Sequence, residues 1–320
     1  MNTKLIESKL SSIVDDFFMN FFKMHFKKLY PLVEQQYEDR IDEYTIFLND
    51  IKKTMFIAGG SITNMIMDKK VKDYDIFIDD EKIRSFIIDY CILYVNEMIN
   101  DFEGFKWSNK FHCFYSLKDA LKDENKKIFD DFENLYEANK FYNISFYHEF
   151  NLNNVSQFEG ISKIIFSKNA ITIKFGKNIF QFIICKIFNR NELSNSFDFI
   201  HTTNYFDLYT KKLILNNDAM MSILNKELIY NSSDYPIISL IRMKKFETCG
   251  WKSNNIELFK ICNDIAKLNL KTKIDYLNSF CGCSNLTYVE IISILEMYNF
   301  KDEINFDEFI KNVELLILNK

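Results

Sequence analysis

The sequence has little of what loosens, anchors or cross-links a chain. It contains 7 Gly and 2 Pro among 320 residues, which argues against long flexible linkers. No apolar run approaches the ~20 residues that a membrane span needs. The first ten residues are polar and carry no secretion signal. We therefore expect no membrane partner.

Cysteine and charge exclude further classes. The seven cysteines are odd in number and no secretory context accompanies them, so reduced thiols and a cytoplasmic location are expected, in the host cytoplasm if the protein is viral. The formal net charge is −5, so a global basic footprint for nucleic acid is absent. Any contact with RNA or another nucleic acid must rest on a local basic patch. The oligomeric state is left open.

Aromatic residues are abundant, with 33 Phe and 17 Tyr. A chain of this length can bury a sizeable core, and its length suggests two domains or one domain with a large appendage. We expect an α/β fold in which a mixed sheet is flanked by helices and followed by a helical C-terminal domain.

The stretch from 54 to 80 organises the rest of the chain. A short apolar run ends at Ala58 and leads into Gly59-Gly60-Ser61. Apolar residues at helical spacing follow, and a lysine-rich turn then leads into a second apolar run. This order predicts a strand, a glycine turn, a short helix and a strand.

The second strand carries two carboxylates on one side. Side chains two apart on a strand share a face, so Asp73 and Asp75 point one way while Tyr74, Ile76 and Ile78 point the other. Two neighbouring carboxylates are costly unless a cation or proton lies between them. Oxygen ligands suit Mg²⁺ or Mn²⁺. We therefore predict a metal site at Asp73 and Asp75, with the glycine turn free to approach phosphate.

The pattern GG-x(12)-D-x-D resembles the nucleotidyltransferase fold of the DNA polymerase beta superfamily. The spacing is most similar to that of the head domain of CCA-adding enzymes and bacterial poly(A) polymerases. The resemblance implies NTP binding by Gly59, Gly60 and Ser61. The family's Arg-Asp pair inside the helix is replaced by Thr63 and Asn64, and Asn64 is retained as a candidate nucleotide contact.

The superfamily places a third carboxylate on a later strand, where this chain has Gln181. Three β-rich runs lie between 163 and 188, and Gly176-Lys177-Asn178 predicts a hairpin between the last two. Asp198, bracketed by Phe197 and Phe199, is the candidate for the substitute catalytic carboxylate. A charged residue flanked in this way is either exposed on a half-buried strand or paired. His201, read on the same strand but the opposite face, is either a base or a core histidine.

The stretch around Gln181 and Asp198 also resembles uncharacterised nucleotidyltransferase-like proteins of tailed bacteriophages. Further on, Pro236 opens a helix that resembles the neck segment after the head of CCA-adding enzymes. Arg242 and Lys245 share a face of this helix. They would hold a triphosphate or a nucleic-acid backbone, or else form a solvated basic face.

The predicted organisation has three parts. These are N-terminal helices packed on the core (1–50), a nucleotidyltransferase catalytic domain with a helical insertion near 102–155 (51–205), and a helical C-terminal domain (206–320). The cleft between the last two is expected to hold the nucleotide.

The predicted function is metal-dependent transfer of NMP from an NTP to an acceptor hydroxyl, with release of pyrophosphate. The acceptor is an RNA 3′ end, another nucleotide or a protein. Two alternatives remain open. One is a catalytically degenerate nucleotidyltransferase-fold phage protein that acts by binding or is associated with the virion. The other is a toxin-like enzyme that modifies tRNA or protein.

Overall fold

The protein has a mixed α/β fold in a computed structural model, which confirms the predicted fold class. Two compact units are present, the first built from residues 1–190 and 204–214 and the second from 191–203 and 215–320. The structure describes residues 2–22, 41–100, 147–151, 160–167, 169–268 and 279.

The first unit contains an eight-stranded sheet. Its strands are β1 Met55–Ala58, β2 Tyr74–Ile78, β3 Tyr147–Asn151, β4 Ile161–Ser167, β5 Ala170–Phe175, β6 Asn178–Ile183, β7 Tyr205–Asp207 and β8 Lys212–Ile214. The strand order is β3-β4-β5-β6-β2-β1-β7-β8. β2 and β6 pair in parallel, whereas the other neighbours are antiparallel. The predicted β5–β6 hairpin is confirmed.

The α-helices are divided between the units. Those of the first unit are α1 Thr3–Phe21, α2 Ile41–Lys52, α3 Gly60–Ile66 and α4 Glu81–Asn100, and those of the second are α5 Leu193–Ser196, α6 Asn217–Asn225, α7 Pro236–Thr248 and α8 Asn255–Ala266. The side-chain oxygens of Asn216 and Asn254 accept hydrogen bonds from the first amides of α6 and α8, which is the preferred way to begin a helix. Pro236 opens α7, as the sequence predicts.

One face of the sheet is covered by the aromatic stripe of α1. Phe17 stacks on Phe180 of β6, with ring centroids 4.0 Å apart and planes 7° apart. Phe18 and Phe21 both contact Phe182 two residues further along β6. All five rings are fully buried, and Phe21 also packs against Tyr90 of α4. One layer of the core therefore lies on the side of the sheet to which Phe180 and Phe182 point, and Phe56 and Phe77 are buried on the other side.

The opposite face is held by an arginine at the end of the β6 connection. Arg190 donates through Nε to Asp79 Oδ2 at 2.6 Å and through Nη2 to the Lys53 carbonyl at 2.7 Å. Its third bond, through Nη1, goes to Asp207 Oδ2. Burial raises the pKa of Asp79, and the Arg190 charge opposes that shift. The guanidinium also lies 5.6 Å from the ring centroid of Phe56, so this one side chain ties β1, β2 and β7 together.

Two segments differ from the predicted organisation. Residues 147–151, inside the predicted helical insertion, form β3 at the edge of the sheet, and the rest of 102–155 lies outside the described residues. Residues 206–214, with which the predicted helical domain begins, instead lie in β7, in β8 and in the turn between them. They join the sheet because β7 pairs with β1 in the register Phe56 with Asp207 and Ala58 with Tyr205.

The described part of the second unit contains an aromatic cluster of Phe199, His201, Tyr230, Phe246 and Trp251. His201 lies 4.3 Å from Trp251 and 4.8 Å from Phe246, measured between ring centroids. An isolated β-bridge joins Phe199 to Tyr230. The helices expected after residue 268 lie outside the described residues.

Within the described residues, none of the helices has the length and apolarity required to cross a membrane.

Candidate functional site

The candidate site lies where β1 ends and β2 begins. In the antiparallel β1–β2 pair, Asp75 is opposite Ala58, the residue directly before the Gly59-Gly60 turn. Directly opposed residues have Cα atoms about 4.5–5.5 Å apart. The carboxylate and the diglycine turn, distant by 15 residues in the sequence, therefore come together at one end of the sheet.

Alternation along β2 places both carboxylates away from the core. Tyr74, Ile76 and Ile78 are buried on the α1 side, and Tyr74 stacks on Phe180 with centroids 5.4 Å apart. Asp75 is half-buried on the other side, and Asp73, also half-buried, immediately precedes the strand. The anchoring that the sequence predicted for the apolar residues of this strand is present.

Gln181 lies beside Asp75. The parallel β2–β6 register pairs the two residues directly, and in-register residues of adjacent strands project from the same face. Thr172 of β5 continues the row beyond Gln181, and Tyr205 of β7 continues it beyond Ala58. The neighbour of Asp75 in this row is therefore a neutral amide.

The oxygen donors at this position are two carboxylates and an amide. Asp73, Asp75 and Gln181 offer only hard ligands, which suit a Mg²⁺ ion that retains several waters and substrate oxygens. Across the part of the chain that the structure describes, no group of three or more Asp, Glu, His or Cys residues is placed to hold a metal. The donor set fits one divalent ion better than a pair, because its full negative charge comes from two residues.

The glycine turn has a backbone that a side chain would strain. Gly59 has φ 82°, in the region that favours glycine, and α3 begins at the next residue. The Ser61 hydroxyl, 3% exposed, donates to the Ala58 carbonyl at 3.3 Å. The Thr63 hydroxyl likewise donates to the Gly59 carbonyl at 3.3 Å. These two hydrogen bonds hold the shape of the turn. The first amides of a helix have no partner within the helix, so a ligand at the turn could accept hydrogen bonds from them.

Asp198 is paired within the second unit. Its Oδ2 accepts from Arg242 Nη1 at 2.8 Å and from Ser239 Oγ at 3.2 Å, and its side chain is only 9% exposed. Of the two interpretations left open by the sequence, the paired one is found. Arg242 is exposed and Lys245 half-buried on the same helix. The structure thus groups Asp73, Asp75, Gly59 and Gly60 in one unit, and Asp198 with Arg242 in the other.

His201 does not have the surroundings of a catalytic base. It is 1% exposed within the aromatic cluster, and burial lowers its pKa to about 4, against a smaller opposing effect of the Asp198 charge. The assumption that it continues a strand is also wrong, because residues 200–202 form a 3₁₀ turn. His201 is a core residue that remains neutral at physiological pH.

Two lysines on the same face as Asp75 were missed by the sequence reasoning. Lys174 of β5 pairs with Ile179 of β6, two residues before Gln181, and Lys163 of β4 is opposite Lys174. Strand alternation through KIIFS and AITIKF was the available signal. Alternation alone does not show that the two lysines share a face with Asp75. That conclusion also needs the strand registers, which the sequence does not give.

Comparison with curated protein sequences yields no match. One similar solved structure is that of a tRNA-processing enzyme with CTP, at 12% sequence identity and a TM-score of 0.35; the match covers 81% of this chain and 57% of that one. The chain thus spans little more than half the length of that enzyme. A family model described as Gabija anti-defense 2 family protein, or Gad2, matches residues 21–226. Because this match covers more than half of the 320 residues of the chain, the chain belongs to the Gad2 family.

Proposed function

We propose that the protein is a metal-dependent nucleotidyltransferase that moves NMP from an NTP to an acceptor hydroxyl and releases pyrophosphate. We further propose that this activity serves the anti-defence role named in the family description. The observation that supports the activity is the register of β1 and β2. It brings Asp75 against the end of the strand that leads into Gly59-Gly60.

The carboxylates of Asp73 and Asp75 would hold Mg²⁺ or Mn²⁺, and the amide oxygen of Gln181, which is paired in register with Asp75, would complete the protein ligands. When bound, such an ion lowers the pKa of an attacking hydroxyl and neutralises charge on the phosphates. The contribution of the chain is position. β2 is anchored by buried Tyr74 and Ile76, which fixes the direction in which the two carboxylates project.

The nucleotide would lie against the glycine turn. The backbone amides of Gly60 and Ser61 would donate to a phosphate there, and the space beside Gly60 is open, because a Cβ added at Gly60 would meet no atom within 4 Å. Asn64, half-buried on α3, stays a candidate contact to the nucleotide. Contributions of Asp198 and of Arg242 with Lys245 also stay predictions, and the pairing of Asp198 with Arg242 would have to open for either to meet a ligand.

The test is transfer of label from each α-³²P NTP with Mg²⁺ or Mn²⁺, using oligonucleotides, mononucleotides and cell lysate as acceptors. Asp73→Asn and Asp75→Asn are expected to lower transfer at least a hundredfold, because each removes one of the two negative ligands. Asp68→Asn is the matched control. Asp68 is an exposed carboxylate in the loop before β2, and its φ of 55° is one that Asn adopts readily.

Equal loss in all three variants, or transfer that survives both ligand variants, contradicts the assignment. Melting curves of each variant confirm that the fold is kept. The acceptor that receives label also distinguishes the enzyme classes, since labelled protein would point to a toxin-like modifier of proteins.

Gln181 favours one second candidate, a nucleotide-binding protein without turnover. A neutral amide contributes less to holding a cation than a carboxylate, and the geometry pairs it directly with Asp75. Isothermal titration with a non-hydrolysable NTP separates the two functions. Nucleotide binding with no transfer to any acceptor, and with no gain in affinity from Mg²⁺, would establish the second candidate and reject the first.

The anti-defence role is tested in cells that carry a Gabija system. Expression of the wild-type protein is expected to restore plating of a phage that the system restricts. Under the enzymatic proposal Asp75→Asn abolishes that restoration and Asp68→Asn retains it. Full restoration by Asp75→Asn would instead show that the anti-defence role needs the protein surface and not the transfer reaction.

A further inference from the structure

Helix α8 of the second unit carries apolar side chains on two opposite faces. Seven of the twelve residues in its sequence, NIELFKICNDIA, are apolar. The helix packs against α7, and its inner face is marked by Ile261, which is fully buried. Phe259, in contrast, is 70% exposed and Ile256 is 65% exposed. A surface helix normally turns a polar face to water, and a helix that is apolar on both faces is normally covered on both.

The exposed residues of α8 form one stripe. Ile256, Phe259, Asn263 and Ala266 follow one another at steps of three, four and three residues, and all four are exposed. This is the spacing of the residues through which two helices pack along a shared seam. At about 100° per residue, the centre of the stripe lies about 180° around the helix from Ile261. The stripe therefore faces away from the inner side of α8, and α7 does not cover it.

The charges beside this stripe are neutralised within the helix. Lys260 Nζ donates to Glu257 Oε1 at 2.9 Å, and Lys267 Nζ donates to Asp264 Oδ1 at 2.7 Å. These four side chains together add no net charge to the face. Surfaces of like charge repel each other when they meet, whereas two copies of a neutral face do not. The charge of this face is thus compatible with a second copy of itself.

The stripe is also complementary to itself in size when two copies run antiparallel. Its large residues, Ile256 and Phe259, lie toward the start of α8, and its smaller ones, Asn263 and Ala266, lie toward the end. In an antiparallel pair Ile256 lies opposite the partner's Ala266, and Phe259 lies opposite the partner's Asn263. A parallel pair would set Phe259 against the same ring and Ala266 against the same methyl group. Its seam would be crowded at one end and empty at the other, which close packing disfavours.

The area of the stripe fits a weak and reversible contact. An aromatic side chain buries about 150–250 Å², so Phe259, at 70% exposure, has about 100–175 Å² left to bury. With Ile256 and the flanks of the seam, two copies would bury several hundred Å² in total. Stable interfaces bury at least about 1,200 Å² and transient ones less. The dimer is therefore expected to dissociate on dilution.

From this arrangement we infer that the protein forms a two-fold homodimer in which the stripes of α8 from two copies pack antiparallel. The inference is independent of the proposed transferase function, and α8 lies beyond residue 226, where the family match ends. The two-fold axis would cross the seam midway between Ile256 and Ala266. Cys262 lies beside that midpoint and is exposed, so the Cys262 side chains of the two copies would face each other across the axis.

The experiment is sedimentation velocity of the full chain over a range of protein concentrations, in the presence of a reductant. The wild-type protein is expected to shift from monomer to dimer as the concentration rises. Phe259→Glu is expected to weaken association at least tenfold, because it places two carboxylates in the seam of each dimer. Leu5→Glu is the matched control, since Leu5 is 65% exposed on α1 of the first unit, and it should change association less than twofold. Neither variant should lower the melting temperature of the monomer.

Oxidation with diamide tests the orientation, because diamide takes up the two electrons and two protons that two thiols release when they form a disulfide. Cys262→Ser is expected to lower the yield of disulfide-linked dimer at least tenfold. Cys249→Ser, which removes another exposed cysteine of the same unit, should retain that yield.

Four results overturn the inference. They are a wild-type monomer at every concentration, equal association in wild type and Phe259→Glu, an equal loss in Leu5→Glu, and a disulfide-linked dimer that persists in Cys262→Ser. A wild-type monomer whose Phe259→Glu variant melts at a lower temperature would further show that another segment of the same chain covers the stripe.

Discussion

Protonation of the buried His201 is expected to make the second unit sensitive to mild acid. Its pKa is lowered from 6.5 to about 4, chiefly by burial, and its ring is enclosed by Phe246 and Trp251. In the unfolded chain the same imidazole takes up a proton near pH 6.5. Between pH 6.5 and 4 the unfolded state therefore binds more protons than the folded state, and stability falls as the pH falls.

The size of the effect follows from the shift. One pKa unit corresponds to about 1.4 kcal/mol, so a shift from 6.5 to about 4 predicts a loss of about 3 kcal/mol once the pH is below 4. At pH 5 the expected loss is about 2 kcal/mol. Against the 5–15 kcal/mol typical of whole domains, this is a large fraction. The Asp198 charge acts in the opposite direction and is already included in the lowered pKa.

The assay is urea unfolding from pH 7.5 to 4.5, followed by the fluorescence of Trp251 in a Trp107→Phe background, where it is the only tryptophan. His201→Phe removes the ionisable group, and the other titrating groups largely cancel when the two proteins are compared. The unfolding free energies of wild type and His201→Phe should diverge by about 2 kcal/mol between pH 7.5 and pH 5. A constant offset is the expected cost of a larger ring. If the two curves stay parallel over this range, His201 is not buried in neutral form and the reasoning fails.

Two further predictions concern the first unit. Gly60→Ala should leave the melting temperature unchanged or slightly raised, because the added Cβ meets open space and Ala favours helix by about 1 kcal/mol. Its NTP affinity should nevertheless fall at least tenfold in titrations, because the methyl group obstructs the approach of a phosphate, and unchanged affinity would remove the turn from the site. Gly59→Ala, in contrast, should destabilise the fold, because Gly59 has a φ of 82°. Arg190→Met should lower the free energy of unfolding, measured in urea, by about 3 kcal/mol. Asp79 and Asp207 lose their shared cation, and a broken buried ion pair costs about 3–5 kcal/mol. A loss below about 1 kcal/mol would show that these ion pairs contribute as little as pairs on a protein surface.

The local part of the fold could be read from the sequence. The strand, glycine turn, helix and strand over 54–80 were predictable because each is determined by residues within a few positions: buried apolar runs, a turn with φ of 82° at Gly59, and alternation around Asp75. The β5–β6 hairpin follows from Gly176 in the same way. Local signals sufficed wherever the partner lies close in the chain.

Contacts between distant segments were not predictable in that way. β7 and β8 have three residues each, too few for an alternating pattern, and β7 becomes a strand because β1 offers it an open edge. The region around His201 departed from a strand for a different reason. The hydroxyls of Thr202 and Thr203 donate to the carbonyls of Phe199 and Ile200, at 2.6 and 2.8 Å, and such local bonds compete with strand pairing.

Gln181 has two opposite consequences for the candidate site. A carboxylate at position 181 would add a third negative charge beside Asp73 and Asp75. The neutral amide that pairs with Asp75 avoids this, so the repulsion between the two existing carboxylates is not increased in the metal-free protein. The same amide lowers the charge that could hold two divalent ions about 3.5–4 Å apart. A carboxylate at 181 would exchange one property for the other, giving tighter metal binding in a less stable metal-free fold.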